Sequence, residues 1–263
     1  MGATEIGQGA DTVFTQMAAQ AIGVPPHHIH VVSMQDTDVT PFDTGAYGSR
    51  QSYVSGAALK QVCLLLRKKI LAFAGEITGI DPEAMDLHDG TIWNVQNQNQ
   101  LMPLSELALI SFYHNDLAQH ITAEASRQCQ DNTYALGCCF AEIEVTLPTG
   151  RIEILRLINV HDSGRIINPQ MARGQVYGGM AMGIGYALSE KMVYDPATGR
   201  LLNGNFLDYK LPTAMDIPTL ETKFIEEDDP SSPFGNKSLG EPPIIPVAAA
   251  IRNALLHGTG RCV

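Results

Sequence analysis

Ala141-Glu142-Ile143-Glu144-Val145-Thr146-Leu147 alternates apolar and polar residues without a break, the pattern of a strand with one buried and one wet face. It lies within Tyr134 to Val160, which reads as two long strands around the turn Pro148-Thr149-Gly150, hence a central antiparallel hairpin. His161-Asp162-Ser163-Gly164-Arg165-Ile166-Ile167-Asn168-Pro169 then forms a polar loop that opens a helix from Met171 to Leu188. Long strands feeding a helix, with no regular βαβ alternation, predict an α+β fold: mixed and antiparallel sheet with packed helices.

The helix is rich in glycine. Gly174, Gly178, Gly179, Gly183 and Gly185 each lower helix stability by about 1 kcal/mol against alanine, so tight helix packing is the plain explanation for them. Gln175 differs, because an amide on a small, apolar face needs partners. The order His161-Asp162-Ser163 invites a hydrolase reading. Adjacent residues rarely converge as a triad, however, and no Gly-x-Ser-x-Gly elbow is present.

Toward the C-terminus, Lys191 to Tyr194 and Leu201-Leu202 read as short strands around Asp195-Pro196-Ala197-Thr198-Gly199, and Leu220 to Glu226 as another. The acidic run Glu226 to Asp229 reads as a solvated strand end. Next comes Gly235-Asn236-Lys237-Ser238-Leu239-Gly240-Glu241-Pro242-Pro243-Ile244-Ile245-Pro246, running into an alanine-rich helix. Pro242 suits a first helical turn and Gly240 a tight bend, which places Glu241 at the positive end of a helix dipole. A simple helix-end acid satisfies the same pattern.

At the other end, Gly7-Gln8-Gly9 precedes a helical pattern from Thr12 to Ile22. Glycines there let backbone N–H groups approach an anion, although a plain turn fits equally well. Pro25-Pro26 breaks the chain and Ile29 to Ser33 reads as a short strand. It leaves into a long polar loop, Asp36 to Arg50, of a length that is usually functional or disordered. Ser49, Arg50, Gln51 and Ser52 open a helix to about Phe73, a second candidate anion site whose alternative is a serine cap with a solvated arginine. Met85 to Leu87 and Thr91 to Trp93 flank the hairpin signal Asp89-Gly90, Gln96 to Gln100 is a polar turn, and Pro103 to Ile110 a short helix.

A chain of 263 residues, 44% hydrophobic and 17% charged, can bury a sizeable core. We read it as one domain, 1–263. Its net charge of −11 argues against nucleic acid as a partner. No run of eighteen uncharged apolar residues and no signal-peptide pattern occurs, so a soluble, cytoplasmic protein with no membrane partner is expected. Cys63, Cys129, Cys138, Cys139 and Cys262 lack cluster or zinc spacing and read as reduced thiols, with Cys138 and Cys139 on opposite faces of a strand. His27, His28, His30, His114 and His120 lack the spacing and carboxylates of a metal site.

Gly7-Gln8-Gly9, Gly45-Ala46-Tyr47-Gly48-Ser49-Arg50, Asn168-Pro169 to Gly174-Gln175-Val176, and Gly240-Glu241-Pro242-Pro243 occur in the order found in the molybdenum hydroxylases, the family of xanthine dehydrogenase and aldehyde oxidase. The chain resembles the second half of the molybdopterin-binding subunit of that family, with bacterial xanthine dehydrogenases the nearest pattern. The resemblance implies a molybdenum-pyranopterin (molybdopterin) cofactor and hydroxylation of a heterocycle, a purine such as xanthine or hypoxanthine, with oxygen from water. It implies that Gly7, Gln8, Gly9, Gly48, Ser49, Arg50, Gln51, Ser52 and Gln175 bind the cofactor. The Gly48 backbone would face molybdenum without being a side-chain ligand, and Glu241 would be the catalytic base. Iron-sulfur clusters and FAD would lie on partner domains or subunits. The family's Phe-Arg-Gly-Phe-Gly-Gly loop has no counterpart here, so a partner carrying the first half of the subunit is expected, from a split gene or lost from a truncated remnant. An inactive fragment or scaffold, and an aldehyde oxidase-type enzyme, are the alternatives.

Overall fold

The structure is a computed structural model that describes residues 1–32, 35–129 and 131–261. Its contacts divide the chain into two compact units. The first is Met1–Asn132 with Ser232–Phe234, the second Thr133–Ser231 with Gly235–Val263.

The first unit is built on helices α1 (Ala10–Ile22) and α2 (Gly56–Thr78). They pack against each other, Phe14, Met17 and Phe73 are almost fully buried, and Gly56 lets the Met17 thioether lie against the backbone. Gly23 ends α1 with φ +96, and its carbonyl accepts the Gly90 N–H at 3.1 Å, tying the helix to a hairpin. That hairpin, β1 (Met85–His88) and β2 (Thr91–Asn94), turns at Asp89-Gly90 as its residues predict, both with positive φ. A third strand, β3 (Asn99–Pro103), pairs antiparallel with β2 where a polar turn was expected. Of the expected stretch only Gln96, Asn97 and Gln98 turn; side-chain polarity hid the edge strand, whose buried contribution is Met102 alone. Helix α3 (Leu104–Tyr113) follows.

Two further expectations in this unit fail. Ile29 to Val32 form no strand, and a single 3₁₀ turn, Pro26–His28, precedes them; Ser33 lies outside the described residues. Nor does a helix open at Ser49. Gly48 and Ser49 both have positive φ, which no α-helix contains, so one wide turn, Gln51–Ser55, intervenes before α2 begins at Gly56.

In the second unit, β4 (Leu136–Thr146) and β5 (Arg151–Asp162) form the expected antiparallel hairpin, and β6 (Thr219–Ile225) joins β5 in parallel, giving a mixed sheet of order β4-β5-β6. Cys138 is exposed and Cys139 half-buried, opposite faces of β4 as the pleat requires. Cys63 and Cys139 are free thiols that burial pushes up to about 11, so neither is a ready nucleophile at neutral pH. Cys262 lies outside the described residues. Lys191 to Leu202 make one isolated bridge, Tyr194 to Leu201, in place of two strands. Helices α4 (Pro169–Leu188) and α5 (Ile245–Thr259) cover one sheet face, with Ile154, Leu157, Val176, Met180, Ile184, Val247 and Ile251 as the core. Among the described residues no helix is long and apolar enough to cross a membrane.

The α4 glycines fall into two kinds. A Cβ on Gly179 would stand 2.8 Å from Pro243 Cβ and 3.1 Å from the Ile244 nitrogen, and one on Gly183 would meet the Val247 side chain. Tight packing explains these two, and also Gly185 against Pro212. It does not explain Gly174 and Gly178, over which nothing lies within 4 Å. Gly178→Ala should therefore raise unfolding stability by about 1 kcal/mol through helix propensity. Gly179→Ala should instead lower it by about 1 to 3 kcal/mol, because a rigid proline must move. Urea melts of the two variants check both signs.

Candidate active site

In the first unit the loop ahead of α1 and the segment ahead of α2 are joined through two amides. Gln8 donates its Nε2 to Gln51 Oε1 and, at 3.0 Å, to the Thr4 carbonyl, which also accepts from Gln51 Nε2 at 2.8 Å. Gln51 is 6% exposed. Both N–H groups of the Gln8 amide are thus engaged inside the protein, and what this position offers a ligand is chiefly backbone.

The glycine loop carries its own anion. The Glu5 carboxylate accepts the N–H groups of Gly7 at 2.7 Å, Gly9 at 3.1 Å and Asp11 at 3.0 Å. Burial opposes its charge, but these N–H groups outweigh it and hold the carboxyl below its ordinary value. The expected approach of a foreign anion to the Gly7 and Gly9 N–H groups is corrected accordingly: an internal carboxylate occupies them and fixes the loop.

Arg50 is not solvated. It pairs with Asp43 at 2.7 Å and donates to the Gly45 carbonyl at 3.0 Å, while Asp43 also accepts from the Gly45 N–H and the Ser55 hydroxyl. This network shapes the bend that leads to Gly48. A cavity of about 250 Å³ adjoins it, lined by Asp43, Arg50, Ser55 and Arg127 among others.

Gly7 and Gly48 are exposed, with φ of +97 and +62, and nothing lies within 4 Å of where a Cβ would stand on either. Their glycine identity serves conformation and open backbone rather than packing inside this chain. Such a surface fits a bulky, heteroatom-rich group brought against the main chain, as a pyranopterin cofactor requires. Ser49 and Ser52 are half-buried beside it.

The second unit holds Gln175 and Glu241. Gln175 is half-buried on α4, one turn before Gly179 and flanked by the open Gly174 and Gly178. Glu241 is exposed. It also sits a turn farther from the helix than expected. Pro242 and Pro243 have no N–H to give, and i to i+3 bonds take over: Ile244 N–H to the Glu241 carbonyl at 3.2 Å and Ile245 N–H to that of Pro242 at 3.3 Å. Pro246 then takes the early helical place assigned to Pro242.

Two neighbours of this turn, Lys237 and Asn159, were not singled out by sequence. Lys237 pairs with Asp162 at 2.6 Å, with both side chains nearly buried, and its N–H donates to the Ser163 carbonyl at 2.7 Å. Asn159, fully buried on β5, donates Nδ2 to the Pro243 carbonyl at 2.8 Å. A lone amide in the apolar run Leu157-Ile158-Asn159-Val160 was the available signal. Asp162 turns to Lys237, whereas the buried His161 ring has no hydrogen-bond partner among the described residues; a hydrolase triad is not assembled. Burial lowers the His161 pKa, favouring the neutral ring.

The sequence matches the family described as molybdopterin cofactor-binding domain over residues 1–218. It is 51% identical over 260 residues to the xanthine dehydrogenase molybdenum-binding subunit of Escherichia coli O157:H7, covering 98% of this chain and 35% of that protein. With the aldehyde oxidoreductase molybdenum-binding subunit PaoC of Escherichia coli K12, identity is 33% over 265 residues, covering 98% and 34%. Among solved structures, quinoline 2-oxidoreductase from Pseudomonas putida 86 superposes with a TM-score of 0.87 at 26% identity, covering 99% of this chain and 34% of that one. The chain spans about a third of the length of these relatives.

Proposed function

The chain belongs to the molybdopterin cofactor-binding domain family, and from that premise we propose that it supplies half of the cofactor site of a molybdenum hydroxylase, with Glu241 as catalytic base. The observation that supports this most is the open, left-handed backbone at Gly7 and Gly48 beside the Gln8 to Gln51 clamp. In this reading Gly7, Gln8, Gly9, Gly48 to Ser52 and Gln175 would hold the cofactor, the glycine loop by its exposed surface and not by the Gly7 and Gly9 N–H groups, which Glu5 occupies. Gly48 would offer the group its backbone and not a side chain. When bound, the molybdenum-pyranopterin group supplies the two-electron oxidation and the activation of water. Glu241 would take up a proton from water, and within the first unit the clamp, the Arg50 to Asp43 pair and the Glu5 carboxylate fix the loops that would hold the cofactor.

The proposed substrate is a purine such as xanthine or hypoxanthine. It is favoured over an aldehyde because the relative at 51% identity is named a xanthine dehydrogenase and the aldehyde oxidoreductase stands at 33%. Residues 1–263 act as one molybdopterin-binding domain in this proposal. Its partners are the remaining part of the subunit and iron-sulfur and FAD subunits that carry electrons away, in the cytoplasm.

Co-expression with those partners tests the proposal. The purified complex is expected to contain molybdenum and pterin in equal amounts and to turn over hypoxanthine faster than an aromatic aldehyde. A well-formed complex without either component would show a scaffold instead. Turnover of the aldehyde alone would replace the purine.

A further inference from the structure

Asn159 lies at the middle of the three-stranded sheet, opposite Cys139 on β4 and Thr222 on β6, and is 0% exposed. Leu157 and the α4 and α5 core lie on the same side, and the nearby polar groups, the Thr222 hydroxyl and the buried His161 ring, have no hydrogen-bond partner among the described residues. Burying a primary amide there is costly unless its polar atoms are matched, and this one is matched on one side only. Its Nδ2 donates to the Pro243 carbonyl at 2.8 Å, and its Oδ1 has no partner among the described residues. The orientation is unambiguous, because a proline carbonyl can only accept. An apolar side chain would suit the core better, so the donor is what distinguishes this residue.

Pro243 is the second residue after Glu241. The Asn159 amide reaches it from the sheet, and Gly179 on α4 admits it at a distance no larger residue would allow. The Glu241 carbonyl is in turn held by the Ile244 N–H. We propose that Asn159 is a positioning residue for Glu241: its amide, donated to the Pro243 carbonyl, sets where the Gly240 to Pro243 turn presents the carboxylate. This rests on the reading of Glu241 as the base. The local sequence explains why the donor comes from outside the turn: the residue three positions after Pro243 is Pro246, which has no N–H, and the Val247 N–H goes to the Ile244 carbonyl.

Two variants in the complete molybdenum-containing enzyme test it. Asn159→Val removes the donor. Asn159→Asp keeps the shape and donates only while protonated; burial raises the pKa of such a carboxyl, so it is a donor at acid pH and sets two oxygens against each other at higher pH. Molybdenum content and KM should be unchanged in both. The kcat of Asn159→Val should fall on the order of tenfold at all pH, as small misplacements of a reacting group do. Relative to wild type, Asn159→Asp should fall likewise at pH 8 and recover toward pH 5. Combining Asn159→Val with Glu241→Gln should cost no more than Glu241→Gln alone, the non-additivity expected when one residue acts through the other. Wild-type kcat in both single variants, or additive losses in the double variant, would overturn the positioning role. Normal turnover by Glu241→Gln alone would instead remove the base, a separate result. Should the valine variant fail to fold, the aspartate pH profile decides: a loss independent of pH counts against the proposal.

Discussion

Glu241→Gln, in the assembled enzyme, is expected to keep its molybdenum and pterin and to lose turnover by about 10² to 10⁴, the contribution of a well-placed general base. Glutamine preserves the size and the turn but cannot take up a proton. The turn should survive, because what defines it is main chain: Ile244 and Ile245 N–H to the Glu241 and Pro242 carbonyls, and the Asn159 amide to that of Pro243. Loss of rate without loss of cofactor is therefore the signature of the base role. Exposure of the carboxylate in this chain does not argue against it, since a base must be reached by water and substrate. Metal analysis and steady-state kinetics on one preparation are sufficient. Near-normal turnover would reduce Glu241 to an acid at the start of a helix.

Lys237→Met should cost about 3 kcal/mol of unfolding stability at pH 7, because it strands the nearly buried Asp162 carboxylate. Burial works against the charge of Asp162. The Lys237 ammonium and the Gly164 N–H at 3.0 Å prevail, and its pKa is lowered; that of Lys237 is raised chiefly by the same hydrogen bond. A depressed carboxyl stabilises the fold above its unfolded pKa of about 3.9 and loses that contribution as pH falls through the folded value. A raised ammonium contributes fully below its unfolded pKa of about 10.4 and is lost as pH rises through its folded one. The gap between wild type and variant should thus be level through neutral pH and close below about pH 4. Urea melts at pH 7 and pH 3 measure this. Equal midpoints at pH 7 would mean the pair does not hold the segment leading to Glu241.

What the amino-acid order determines here is local. Strict alternation in Ala141 to Leu147 and the Pro148-Thr149-Gly150 turn were enough for the β4 to β5 hairpin, since period two and turn chemistry act over a few residues. Asp89-Gly90 likewise specified its hairpin. The open glycines 7 and 48 were legible because left-handed φ leaves its mark in residue type, whereas Pro242-Pro243 announced a bend but not its distance from the helix. Where a residue's importance comes from what lies opposite it, the marks vanish. That Glu5 would fill the glycine loop, that Arg50 would meet Asp43, and that α4 needs Gly179 for Pro243 but keeps Gly178 open are contacts chosen in space. The same holds for β6 beside β5, because parallel pairing has no turn to announce it. Asn159 is the clearest case: one amide among apolar residues, silent until the sheet brought it 84 positions along the chain to a proline carbonyl that no local N–H could serve.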